Sequence, residues 1–136
     1  MEELQRICKT LLSNADLVIS IDVPNGAIVL NFAPAISLED IVMRCSKYTR
    51  LRVAKTADDD EWFFVGETKL ELITSKAELQ KLLVEDRWQV NCDTPVEPVF
   101  WIRCEGAIML DIVCGALAWS MGEREFQSVS LPAIAD

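Results

Sequence analysis

Residues 37–55 read SLEDIVMRCSKYTRLRVAK, and the predicted fold depends on them because a helix pattern here gives way to a strand pattern. Ser37 opens a sequence typical of a helix N-terminus, with Asp40 in place of the usual glutamate. Apolar side chains then recur at the spacing of one helix face: Leu38, Ile41, Val42, Cys45 and Tyr48. These residues predict a helix of about three turns, followed by a strand at 50–53.

Two further patterns precede this stretch. Apolar residues at helical spacing predict an N-terminal amphipathic helix, with a stripe of Leu4, Ile7, Cys8, Leu11 and Leu12. Alternating apolar residues then run from Leu17 to Val23 and from Ile28 to Phe32. Between them lies Pro24-Asn25-Gly26, and Asn-Gly tolerates the positive φ of a tight strand reversal. The two runs predict a β-hairpin.

The residues that follow, as far as Cys92, predict short strands and one more helix. Alternation predicts strands around Leu51 and Val53, at 62–65, at 69–72 and at 87–92, with a break at Gly66-Glu67. Ser75-Lys76-Ala77-Glu78 is a capping-box sequence, and it predicts a short helix that carries Leu79, Leu82 and Leu83. Two or three strands are thus predicted between the two helices, and with two strands the order after the first helix is ββαββαβ.

This order resembles the ubiquitin-like β-grasp, an α+β fold in which a mixed sheet wraps one main helix. The resemblance covers residues 16–92. Within that superfamily, Asp58-Asp59-Asp60-Glu61 and Ser75-Lys76-Ala77-Glu78-Leu79 look like two elements of the Phox/Bem-type head-to-tail interaction domains. The resemblance implies that the acids contact a basic face on a partner, which Lys47, Arg50 or Arg52 could supply.

The charge pattern points to the same region of the chain. Five basic residues and no acid lie between Arg44 and Lys55, and an acidic run follows directly, in a chain of net charge −9. Such blocks favour binding to a complementary charged surface. The predicted partner-binding residues are Asp58, Asp59, Asp60, Glu61, Trp62, Arg44, Lys47, Arg50 and Arg52. The alternative is that these charges only keep the domain soluble and that Trp62 belongs to the core.

The last third of the chain predicts an extension to this single domain of residues 1–136. Val99 to Ile102 predicts a strand buried on both faces. Ala107 to Met121 is almost wholly apolar, and predicts either a buried helix or a strand that ends in a turn at Gly115. We expect residues 93–122 to cover an open sheet face in preference to forming a homo-oligomer interface, and residues 123–136 to be loosely held.

Composition argues against catalysis and against bound cofactors. The chain has no histidine, the commonest general base and metal ligand. It also has no Gly-rich phosphate loop, and its acidic run lacks the ligand spacing of an EF-hand. Its five cysteines are scattered without a Cys-x-x-Cys pair, which favours free buried thiols, with Cys92 the most open to reaction. We therefore expect no catalytic residue, metal site or cofactor.

The sequence thus predicts a noncatalytic protein–protein interaction module, part of a scaffold or assembly. The alternative is a small acidic inhibitor, immunity protein or secretion chaperone that binds a basic target. Partners would be another protein or a second copy, because net charge −9 repels nucleic acid. The apolar segment at 107–121 is too short to cross a bilayer, which takes about 20 residues. Early acids, Glu2 and Glu3, are unlike a secretory signal and favour the cytoplasm.

Overall fold

The computed structural model describes residues 1–55, 64–85 and 97–132. Its elements are α1 (Glu2–Thr10), β1 (Ala15–Asp22), β2 (Ala27–Pro34), β3 (Ile41–Lys55), β4 (Phe64–Ile73), α2 (Lys76–Glu85), β5 (Val99–Gly106), β6 (Ile108–Met121) and β7 (Gln127–Ser128). The strands pair in the order β3-β2-β1-β4-β5-β6-β7, and every pairing between them is antiparallel. None of the helices in these three ranges is both long and apolar enough to span a bilayer.

The sheet closes on itself because β3 also pairs with β6. That pairing runs from Ile41 opposite Met121 to Lys55 opposite Ile108, along the whole of both strands. Elsewhere in the closed sheet, β1 and β4 pair over two residues only, with Ala15 opposite Val65 and Asp16 opposite Phe64. Beyond these pairs the two strands diverge. Closure removes the exposed edges that an open sheet would present.

One hydrophobic core fills the interior of the closed sheet. Its fully buried side chains come from all six long strands and from α1, and the largest are Phe32, Phe100, Leu4, Leu12, Ile28, Leu30, Ile41, Met43, Ile102, Ile108 and Ile112. The helix α1 lies along β4 where β1 diverges from it. There the Gln5 side-chain amide donates to the Leu70 carbonyl at 3.1 Å, and the Thr68 hydroxyl donates to the Leu12 carbonyl at 3.0 Å.

The predicted β-grasp is wrong. A β-grasp needs one main helix against a mixed sheet, whereas this sheet is antiparallel and its helices have only 9 and 10 residues. The predicted main helix is the first half of β3, in which Ile41, Met43 and Cys45 are buried and alternate with half-buried residues. The same run fits both periods, and pairing with β2 and β6 selects the period of two.

The helix-capping signal at Ser37 has a different role in the structure. The Glu39 backbone N–H donates to the Ser37 hydroxyl at 3.2 Å, which is the bond of a local turn. Serine followed by acids stabilises such turns as well as helix starts, because both offer a backbone N–H to the hydroxyl. The turn reverses the chain between β2 and β3.

The expected C-terminal extension is also wrong, since β5 and β6 are integral strands of the sheet. Gly115 lies inside β6 and makes no turn there. It faces a bulge in β3, where the register shifts between Tyr48 and Arg50 and Lys47 has a φ of +53°. A Cβ on Gly115 would lie 3.3 Å from the Lys47 Cβ. The glycine therefore admits the bulge, a known use of glycine in strands.

Several local predictions are confirmed. The structure contains α1, the β1–β2 hairpin with Gly26 at φ +60°, and the helix after Ser75. The strand from Val99 is also present, but it is fully buried on one face only and not on both as predicted. The strand predicted at 69–72 is part of β4, but the expected break at Gly66-Glu67 is only a register shift within that strand. The strand predicted at 87–92 lies outside the described residues. Part of the C-terminal segment that was predicted to be loosely held forms β7, which pairs with Ala118 and Trp119 of β6.

We predict that Gly106→Ala destabilises the protein by about 2–3 kcal/mol, as expected for overpacking against atoms that cannot yield. A Cβ at Gly106 would lie 2.5 Å from the Phe64 carbonyl oxygen and 2.7 Å from the Gly66 backbone nitrogen. Urea denaturation measures the change in the free energy of unfolding. Gly66→Ala is the matched control, because its Cβ would meet nothing closer than 3.5 Å. Equal losses in both variants would contradict the close approach at Gly106.

Candidate interaction surface

The four basic residues predicted to bind a partner all lie on β3, but in three different settings. Arg44 is half-buried, Lys47 and Arg52 are exposed, and Arg50 is buried. The acidic run Asp58, Asp59, Asp60 and Glu61 and the adjacent Trp62 lie outside the described residues. The structure therefore describes only the basic residues of the predicted site.

Arg44 on β3 forms an ion pair with an acid on β1, the next strand but one in the sheet. Its guanidinium contacts the Asp22 carboxylate at 2.7 Å, and the Asn25 side chain donates to the same carboxylate at 2.8 Å. These contacts hold the pKa of Asp22 below its usual value, chiefly through the Asn25 hydrogen bond and then through the nearby Arg44 charge. Arg44 thus fixes the end of the β1–β2 hairpin against β3.

Arg50 is 5% exposed and belongs to a polar cluster on the outer face of the sheet. Its guanidinium contacts the two carboxylate oxygens of Asp111 at 3.4 and 3.3 Å. The Trp101 indole N–H donates to the same carboxylate at 2.8 Å, and the Arg50 guanidinium lies 5.9 Å from the Trp101 ring centroid. Arg50 is therefore held by contacts within the protein, and its charge is not exposed to solvent.

A second arginine extends this cluster across β5 and β4. The Arg103 guanidinium lies over the Trp101 ring, 4.1 Å from its centroid, a cation–π distance. It also forms an ion pair with Glu71 on β4. Asp111 on β6 lies opposite Arg52 on β3 and opposite Arg103 on β5. This register places Asp111 between the two other strands.

The sequence analysis missed Trp101, Arg103, Asp111 and Glu71. Each alternates with buried residues along its strand, which would have placed the four on an outer face. Nothing in the sequence gives the register that sets them beside Arg50. The missing information was the pairing of β6 with both β3 and β5.

The exposed basic residues occupy the second half of β3. Lys47, Arg52 and Lys55 are exposed there, and so are the large apolar side chains Tyr48 and Val53. Among the described strands, β2 pairs with β3 only as far as Ser46, and this half is held by β6 alone. We call these five residues the basic ribbon. It combines positive charge with apolar side chains on a strand fixed along its length, with Arg52 on one face of the strand and Val53 and Lys55 on the other.

Four cysteines lie in the core. Cys8, Cys45, Cys104 and Cys114 are free and buried, as predicted, while Cys92 lies outside the described residues. Burial raises the pKa of both Cys8 and Cys104 to about 12, and the pKa of Cys45 is raised by its contact with Cys114 and by burial. Thiols in this state are protonated near neutral pH and are poor nucleophiles.

A cleft of about 580 Å³ separates α1 from β4. Leu70 and Thr68 contribute from β4, and Lys9, Lys69 and Glu67 bring charges of both signs. Lys69 and Glu67 contact each other at 3.6 Å, and both side chains are more than half exposed, so this ion pair contributes little to stability. Among the residues that the structure describes, no three His, Cys, Asp or Glu side chains are grouped to hold a metal ion.

Comparison with known proteins gives no relative. No family model matches the chain, and no significant match is found among curated proteins or among solved structures. The ubiquitin-like resemblance therefore has no relative to support it, and the topology contradicts the fold that it implied.

We predict that Asp111→Ala lowers the free energy of unfolding by about 2–3 kcal/mol, because it removes the carboxylate that faces buried Arg50 and the Trp101 indole. Asp111→Asn, which keeps an acceptor for the indole, should cost less. Chemical denaturation followed by tryptophan fluorescence measures both. Asp16→Ala, on an exposed position of β1, is the control and should change stability by no more than about 0.5 kcal/mol. A loss at Asp111 no larger than at Asp16 would contradict this role.

We also predict that the four core thiols are inert in the folded protein. In a Cys92→Ser variant, a disulfide reagent at pH 8 should react at least about 100-fold more slowly with the native protein than with the protein in guanidinium. Because the native pKa of Cys8, Cys45 and Cys104 is raised, stability should also fall as the pH rises above about 9 toward 12. Rapid labelling of one native thiol would contradict the burial of that cysteine.

Proposed function

We propose that this protein is a noncatalytic protein–protein interaction module, acting within a scaffold or assembly, and that the basic ribbon is one of its docking surfaces. The observation that supports this is the exposure of Lys47 and Lys55 together with Tyr48 and Val53 on one half of β3. Charge combined with exposed apolar area is typical of interaction sites, whereas scattered surface charge is not.

The structure of β3 gives this surface a fixed shape. The half of the strand that carries the ribbon pairs with β6 from Tyr48 to Lys55, so its backbone does not have to become ordered on binding. Behind it, buried Arg50 is held by Asp111. A preorganised surface loses less entropy when a partner docks, which favours affinity.

The charge of the whole chain selects the kind of partner. A basic ribbon on a protein of net charge −9 creates a strong local gradient of potential. An acidic surface would be attracted there and repelled elsewhere, which fixes orientation and raises the association rate more than it raises affinity. The acidic run 58–61 of a second copy carries the charge that such a partner needs.

The test compares two double variants with the same change in net charge. Lys47→Glu with Lys55→Glu should lower capture of the bound partner from extracts of the source cells by at least about tenfold at low salt. Lys9→Glu with Lys81→Glu, on exposed positions of α1 and α2, should leave capture unchanged. Equal losses, or no loss in either variant, would contradict the proposal.

Sedimentation velocity of the pure protein over a concentration series identifies a partner that is a second copy. Growth in sedimentation coefficient that disappears at high salt and in the Lys47/Lys55 variant would show self-association through the ribbon. Salt acts on exposed charge contacts because the Debye length falls from about 30 Å at 0.01 M to about 3 Å at 1 M.

A further inference from the structure

The opposite end of the β3–β6 pair carries a second surface, made by two loops. Residues 35–40 lead into β3, residues 122–126 follow β6, and the pairing of Ile41 with Met121 brings the loops together. The Gly122 backbone N–H donates to the Asp40 carbonyl at 2.9 Å. A Cβ on Gly122, which has a φ of +62°, would lie 3.1 Å from the Glu39 Cδ. The two loops therefore form one surface.

Large apolar side chains project from this surface into solvent. Leu38 is fully exposed, Ile36 is 73% exposed, and Phe126 is 47% exposed. None of the three belongs to the hydrophobic core or packs against it. All three lie on these two adjoining loops, and exposed apolar area concentrated on one part of a surface marks interaction sites on folded proteins.

Acidic side chains lie on the same two loops. Glu39 and Asp40 lie on the first loop, and Glu123 and Glu125 on the second, all exposed. Arg124 is the single basic residue of the two loops, so four carboxylates and one guanidinium give a net charge of −3. Leu38, Glu39, Asp40, Glu123 and Arg124 line a shallow depression between the loops. We call this surface the acidic end.

We propose that the acidic end docks a basic amphipathic segment of a partner protein, with apolar side chains against Ile36, Leu38 and Phe126 and with lysines or arginines against the carboxylates. This inference extends the proposed function, since it adds a second docking surface and names the chemistry of its partner. A second copy of the chain, which would have to offer its own basic ribbon, is the other occupant, and the charge of −9 on each copy disfavours it at long range.

The two surfaces lie at opposite ends of one strand. From Ile41 beside the acidic end to Lys55 at the far end of the basic ribbon, β3 has 15 residues, which spans roughly 45–50 Å at about 3.3 Å per residue. The near edge of the ribbon, at Lys47, is six residues or roughly 20 Å from Ile41, so one small partner cannot cover the whole of both surfaces. A module built this way would bind an acidic partner at one end and a basic partner at the other.

The test uses a defined probe, a fluorescent synthetic peptide that forms a helix with lysines on one face and leucines on the other. Fluorescence anisotropy at low and high salt measures its affinity. Ile36→Ser with Leu38→Ser should weaken binding by at least about tenfold. Glu39→Lys with Glu123→Lys should weaken it similarly at low salt and less at high salt. All four positions are exposed, so these variants should fold, and thermal melting checks that they do.

Matched controls separate the acidic end from the rest of the surface. Glu2→Lys with Glu3→Lys makes the same change in net charge on α1. Ile21→Ser with Val23→Ser removes exposed apolar side chains at the other end of β2. Both controls should bind the peptide within about twofold of the unsubstituted protein. Equal weakening in controls and acidic-end variants would overturn the proposal, because binding would then depend on overall charge alone.

Two further outcomes would overturn the proposal. One is equal affinity for a peptide in which serines replace the leucines, which would show that the apolar side chains take no part. The other is self-association that Leu38→Ser abolishes, which would make a second copy the occupant. The Lys47/Lys55 variant should bind the basic peptide normally, so failure at the acidic end is distinguishable from failure of the basic ribbon.

Discussion

The pairing of β3 with β6 is the interaction on which the rest of the structure depends. It joins the two longest strands, 15 and 14 residues, and converts a row of strands into a closed sheet around one core. Without it, the apolar faces of both strands would lose their common interior, and β6 would have β5 and short β7 as its remaining neighbours. The bulge at Lys47, admitted by Gly115, lets the two strands stay paired while the sheet curves.

The same pairing determines which charges are available to a partner. It brings Asp111 within contact distance of Arg50, so this arginine of the basic block forms an ion pair within the protein. Its neighbours Lys47 and Lys55 remain exposed on the same strand. A buried ion pair contributes little net stability, because desolvation opposes the attraction, whereas removing one of its partners is costly. Trp101 shields the pair and links it to β5.

The proposed docking surfaces also follow from the direction of β3. Its first residue adjoins two acidic, apolar loops, and its last residues carry the basic ribbon. A rigid strand keeps the two charge patterns apart, so neither neutralises the other within one molecule. Such polarity orients partners during encounter, which is where surface charge has its largest effect. The exposed apolar residues Leu38 and Val53 add apolar surface that a partner can bury, which charged residues alone do not provide.

The sequence by itself determined the elements whose signals are local. Helix α1, the hairpin around Gly26 and the helix after Ser75 depend on spacing and turn chemistry within a few residues, and all are present. Tertiary structure alone decided residues 41–48, where a helix period and a strand period coexist and pairing with β6 selects the strand. It also decided the partners of Arg50, because register between distant strands leaves no mark in a single sequence.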